Sequence, residues 1–150
     1  MNRDLEPHVI AAWQAMARTV GSLMKSLDEE LQRTHGLTLS YFDVLEELTN
    51  APGERLRMQQ LADAVMLSRS GLTRLIDRME NAGLVQREPF PADRRGYYAM
   101  ATEEGKRLYL QARPVKAQTI LQRFGSHLDY SDLLGLSGAL RKVMVANDLL

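Results

Sequence analysis

The chain contains no cysteine. That excludes disulfides, thiolate metal sites and redox sensing through a thiol, and it fits a reducing cytoplasm. No apolar run approaches the roughly 18 residues that suggest a membrane helix, so no membrane partner is expected. The N-terminus carries Asp4 and Glu6 where a secretion signal would carry a basic stretch and an apolar run, and no signal peptide is read there. His8, His35 and His127 are scattered, with no His-x-x-x-His pair and no glutamate beside them at metal spacing. A glycine-rich phosphate loop and a nucleophile–base motif are both missing. The expectation is a protein that needs no metal or other cofactor and is not an enzyme.

Net charge is missing as well, since 19 Lys/Arg balance 19 Asp/Glu. The distribution is uneven. Residues 1–53 hold 4 basic and 8 acidic side chains, residues 54–107 hold 10 and 8, and residues 108–150 hold 5 and 3. Local field rather than total charge steers binding to phosphate. A length of 150 residues suits one elaborated helical protomer. No internal repeat, low-complexity segment or domain linker interrupts it.

What is present is helical periodicity. Val9, Trp13, Met16, Val20, Leu23, Leu27 and Leu31 recur at three- and four-residue steps, which predicts a helix of roughly 25 residues from about Pro7, ended by His35-Gly36. Its apolar stripe is longer than a compact core can cover. Ser40 reads as the cap of a second helix, completed by Asp43 and stopped at Asn50-Ala51-Pro52-Gly53. A strand at Leu56 and a brief helix over Met58 to Val65 follow. Ser68 reads as the cap of a helix to Asn81 that buries Leu72, Leu75, Ile76 and Met79 and stops at Gly83. Strands are expected at Leu84–Arg87 and Tyr97–Ala101, with Pro89 and Pro91 ending the first. Thr102-Glu103-Glu104 then opens a long helix, bent at Pro114. Ser131-Asp132 caps a last one, striped by Leu133, Leu136, Leu140 and Val143.

Residues 56–102 carry the chemistry. Ser68, Arg69, Ser70, Thr73 and Arg74 lie opposite the apolar face of their helix, where they can meet base edges and phosphates. The alternative is a solvated helix face with a capping serine. Arg94 and Arg95 sit at the tip of a proline-stiffened hairpin, and Asp93 can pair with an arginine to hold the tip in shape. A helix in the major groove and a hairpin tip in the adjacent minor groove is the use that suits both. Arg78 stays open between a phosphate contact and an ion pair joining hairpin to helix.

This order of elements resembles the MarR family of bacterial transcription regulators over nearly the whole chain. The resemblance is sharpest in Leu61-Ala62, Ser68-Arg69-Ser70-Gly71, Arg78, Gly83-Leu84-Val85, Asp93-Arg94-Arg95-Gly96 and Thr102-Glu103-Glu104-Gly105. It implies a mainly α fold with a small β-wing. A winged helix-turn-helix lobe over about 40–105 would join a helical dimerisation region over about 1–38 and 106–150. It also implies an obligate homodimer on a pseudo-palindromic double-stranded DNA operator, usually repressing, with release by a small aromatic or anionic effector. Arg95 would be the minor-groove finger and Asp93 its organiser. Members that sense peroxide through cysteine are not matched.

Trp13, the one tryptophan, and Asp43 carry two readings each. Trp13 belongs to a dimer core and Asp43 to the capping box with Ser40. Alternatively both line a ligand pocket, since an aromatic and an acid at these places are similar to the urate-responsive branch of that family. The eight methionines read as core filler. A winged-helix module that binds protein and has lost DNA binding is the competing function. The cations Arg69, Arg74, Arg94 and Arg95 argue against it.

Overall fold

A computed structural model describes residues 6–90 and 96–149. The backbone divides into two compact units, residues 24–116 and residues 1–23 with 117–150. Helix α1 (Glu6–His35) is longer than its apolar period suggests, at 30 residues. It ends because Gly36 takes φ +62°, a left-handed conformation that costs glycine little. Its last turns bury Leu27 and Leu31 in the 24–116 unit. Its first turns carry Val9, Trp13 and Val20 in the other unit, all exposed, Trp13 by 63%. Helix α6 (Tyr130–Ala146) also leaves Leu134, Leu136, Leu140 and Val143 exposed.

Helix α2 (Leu39–Asn50) starts earlier than Ser40 suggests. Thr38 is the cap, its Oγ1 accepting from the Tyr41 amide at 3.2 Å. Asp28 of α1 accepts from the Leu39 amide at 2.8 Å. A carboxylate from a neighbouring helix therefore fixes this start, and the expected Ser40–Asp43 box does not form. Asp43 is engaged elsewhere, with Lys116. The last helix is corrected in the same sense. Its cap is Asp129, not Ser131, in a reciprocal box with Asp132.

Strand β1 (Arg55–Arg57) leads into α3 (Met58–Ala64), and a short turn leads on to α4 (Arg69–Asn81). Strands β2 (Val85–Pro89) and β3 (Tyr97–Ala101) complete an antiparallel sheet in the order β1-β3-β2. Ala99 faces Leu56 on one side and Arg87 on the other. Strand β2 runs two residues further than expected. It is an edge strand, where a proline without an N–H is tolerated, and Pro89 sits at its end opposite Tyr97. Helix α5 (Glu103–Arg123) continues through Pro114.

The core of the 24–116 unit is made by Leu31, Leu37, Phe42, Leu45, Leu48, Leu61, Leu72, Ile76, Met79 and Val85, all essentially inaccessible. Each such side chain contributes about 1.5–3 kcal/mol relative to an exposed one. Phe42 packs on Tyr109 of α5 with ring centroids 5.2 Å apart. Lys116 closes this layer at the surface. Its Nζ lies 2.7 Å from Glu46 Oε2, 3.1 Å from Asp43 Oδ1 and 4.5 Å from the Phe42 ring centroid.

Burial is the largest single influence on the Lys116 ammonium and favours its neutral form. The hydrogen bond to Glu46 and the Asp43 charge together outweigh burial, and its pKa is raised. A raised folded-state pKa means that this stabilisation holds at neutral pH. It is lost only as pH rises through that value, above the ordinary lysine range. Lys116→Met is expected to cost about 1 kcal/mol at pH 7, because Asp43 and Glu46 lose their cation while remaining partly solvated. The midpoint of urea unfolding measures this, and an unchanged midpoint would contradict it.

Candidate nucleic-acid interface

Helix α4 is held at its start by Ser68, whose Oγ accepts from the Gly71 amide at 3.1 Å. Leu72, Leu75, Ile76 and Met79 face the core. Arg69, Ser70, Thr73 and Arg74 are therefore turned outward together, and all four are exposed. The amphipathic period alone produces this face. Ser68 and Ser70 approach to 3.3 Å between hydroxyls, and Thr73 Oγ1 donates to the Arg69 carbonyl at 2.9 Å. Arg69 reaches across the turn to α3, donating from Nε at 3.1 Å and Nη2 at 2.8 Å to Gln59 Oε1. Arg74 and Arg78 have no side-chain partner among the described residues and stand in solvent.

The ion pair that joins hairpin to helix belongs to Arg87, not to Arg78. Arg87 shares a face of β2 with the buried Val85, so its guanidinium turns back onto α4. There it meets Asp77 at 2.5 Å and Glu80 at 2.6 Å, and its backbone N–H donates to Glu80 at 3.2 Å. Burial, the largest influence, lowers the Arg87 pKa, but the two carboxylates more than offset it and the pKa is raised. Asp77 and Glu80 lie three apart on one helix edge, which is the sequence signal for an incoming cation. Arg87 is thus a bracket for the hairpin rather than a free contact.

The hairpin has a second anchor. Arg57, at the β1–α3 junction, places its guanidinium 3.9 Å from the Phe90 ring centroid, and Phe90 meets Tyr98 edge-on at 5.3 Å. The Phe90 amide donates to the Gly96 carbonyl at 2.9 Å, bringing the two arms together. Asp93, Arg94 and Arg95 lie outside the described residues. Between α4 and the hairpin runs an open cleft of about 690 Å³, lined among others by Arg57, Gln59, Arg69, Thr73, Phe90 and Tyr97. Arg57 and Gln59 are members of this surface that sequence reading missed.

Trp13 and Asp43 belong to different units. Among the described residues no three His, Asp or Glu side chains gather to hold a metal ion, and no helix is long and apolar enough to cross a membrane.

The MarR family model matches residues 35–96. The transcriptional regulator HosA of Escherichia coli O111:H- is 33% identical over 79 residues, which are 53% of this chain and 57% of HosA. The chain therefore spans little more than half the length of that relative. The crystal structure of AbsC, a MarR family transcriptional regulator from Streptomyces coelicolor, superposes with a TM-score of 0.86 at 35% identity, covering 92% of this chain and 93% of AbsC. Sco3205 of the same organism, a MarR family regulator solved in complex with DNA, gives 0.84 at 31% identity, covering 89% of this chain and 83% of its own. With α3 and α4 joined by a short turn, the β-hairpin beside them and these likenesses, the chain belongs to the MarR family of transcription regulators.

Proposed function

We propose that this chain is a sequence-specific DNA-binding regulator that represses transcription as a homodimer on a pseudo-palindromic operator. A small, aromatic or anionic effector would release it. The observation that carries the reading is the outward face of α4, where Arg69, Ser70, Thr73 and Arg74 are exposed together. A capped helix start turned to solvent suits phosphate, and a planar guanidinium suits guanine. The DNA complex of Sco3205 supports the same use of this fold. Electrophoretic mobility shift on the DNA flanking the chain's own gene tests it, with unrelated duplex as competitor. The same assay with phenolic acids and purines added tests effector release. Lys116 offsets part of the Asp43 charge but is shared with Glu46, so an anionic effector at Asp43 would still meet a net negative cluster.

Arg94 and Arg95 are proposed as minor-groove contacts, with Asp93 shaping the tip. Arg95→Ala is expected to weaken operator binding by about 1–3 kcal/mol while leaving helicity intact. Unchanged affinity would remove Arg95 from the interface.

The dimerisation region is proposed to be residues of about 1–38 and 106–150. Support comes from the apolar side chains left in solvent on α1 and α6, Trp13 and Val143 among them. Contiguous apolar faces of this extent mark an interface. A second copy is the occupant that a palindromic operator requires. The melting temperature is expected to rise with protein concentration. Sedimentation of a folded 17 kDa monomer at micromolar concentration would contradict this.

A further inference from the structure

Arg69 does not stand free, and the way it is held leaves one edge of its guanidinium open. Gln59 Oε1 accepts from Nε and Nη2, which occupies the side edge. The end edge, with one hydrogen of Nη1 and one of Nη2, remains available as a fork. The Gln59 amide is itself fixed, because its Nε2 donates to Asp63 Oδ1 at 2.8 Å. An arginine can only donate and a carboxylate can only accept, so the amide has one orientation that satisfies both neighbours. Asp63, Gln59 and Arg69 thus form a relay from α3 to the first residue of α4.

We propose that Gln59, oriented by Asp63, is a positioning residue that aims the free fork of Arg69 at the O6 and N7 acceptors of one guanine. This rests on the DNA-binding reading above. The first residues of a recognition helix are those that reach base edges, and Arg69 is the first residue of α4. A bidentate arginine–guanine contact needs its plane and direction set in advance, or rotamer entropy is lost on binding. A tether from the preceding helix supplies that without using the reading edge. Gln59 makes no base contact in this role. It changes which base pair is preferred by changing where Arg69 points.

The test starts from a duplex selected by the wild-type protein from a randomised pool. Each base pair is then replaced in turn, and binding is measured for the wild type, Gln59→Met, Gln59→Glu, Arg69→Ala and the Gln59→Met/Arg69→Ala double variant. Arg69→Ala is expected to flatten preference at one G·C pair in each half-site. Gln59→Met is expected to reduce preference at that same pair by about fivefold, with little added loss in the double variant. Gln59→Glu keeps an acceptor for Arg69 but loses the donor that Asp63 holds, so it is expected to retain part of the preference, more than Gln59→Met, at lower overall affinity. Uniform weakening at every position would make Arg69 a phosphate contact and overturn the proposal. So would a Gln59→Met effect at a different base pair, or one that adds fully to Arg69→Ala. If the wild type selects no sequence, the DNA-binding reading itself falls and this proposal with it.

Discussion

Replacing Gly105 by alanine is expected to destabilise the chain by about 3 kcal/mol or more. Gly105 lies in the first turn of α5, where that helix packs directly on the backbone leaving α4. A Cβ there would stand 2.1 Å from the Leu84 carbonyl oxygen and 2.9 Å from Leu45 Cδ2. The first contact is with backbone, which has no rotamer to change. The segment is also pinned from both sides. Leu84 O accepts from the Thr102 amide at 3.0 Å, and Thr102 Oγ1 donates to Gly83 O at 2.7 Å while accepting from the Gly105 amide at 3.0 Å. Relieving the clash therefore breaks the seam that joins α4, the hairpin and α5. Gly71→Ala is the comparison, because its Cβ would meet only the Ser68 hydroxyl at 3.0 Å, a side chain that can turn away at a cost of about 1 kcal/mol for the weakened cap. Urea unfolding of the two variants should separate them widely. Equal midpoints would show that the α5 seam adapts.

The second large effect is on binding. The Arg69→Ala/Arg74→Ala variant is expected to lose about 2–6 kcal/mol of operator affinity, at least thirtyfold. Both side chains are exposed, so the melting temperature should change little. The dependence of binding on salt divides the loss further. Removing a guanidinium that meets phosphate makes log affinity less steep against log salt, whereas removing one that reads a base lowers discrimination and leaves the slope nearly unchanged. Full affinity in a folded double variant would mean that α4 does not enter the groove.

Much of this architecture is legible in the residues because local and tertiary signals agree. The stops at Gly36 and Gly83 coincide with positive φ, and the cap at Ser68 coincides with a serine one residue before an apolar period. Thr38 and Ser40 are both capping types, and serine is the slightly better of the two. Asp28, eleven residues away on another helix, makes the choice, and no local rule contains it. The exchange of Arg78 for Arg87 has a similar origin. Both arginines are near the hairpin in sequence, but only the strand alternation that puts Arg87 beneath Val85 turns its side chain toward Asp77 and Glu80. Gln59 carried no signal at all. Its meaning comes from the turn that brings α3 and α4 together, which places it against a residue ten positions later. The outward residues of α4 were legible because the periodicity that buries Leu72, Leu75, Ile76 and Met79 leaves them no other side.

Two copies of the unit formed by α3, α4 and the hairpin are expected to recognise a two-fold DNA sequence. Selection from a pool of duplexes with a randomised core measures it most directly, using the full chain at a concentration where it is folded. The expected result is enrichment of an inverted repeat whose half-sites are centred about one helical turn, roughly 10 base pairs, apart or a multiple of that. Folded protein that enriches no sequence, or only a single half-site without symmetry, would contradict the claim.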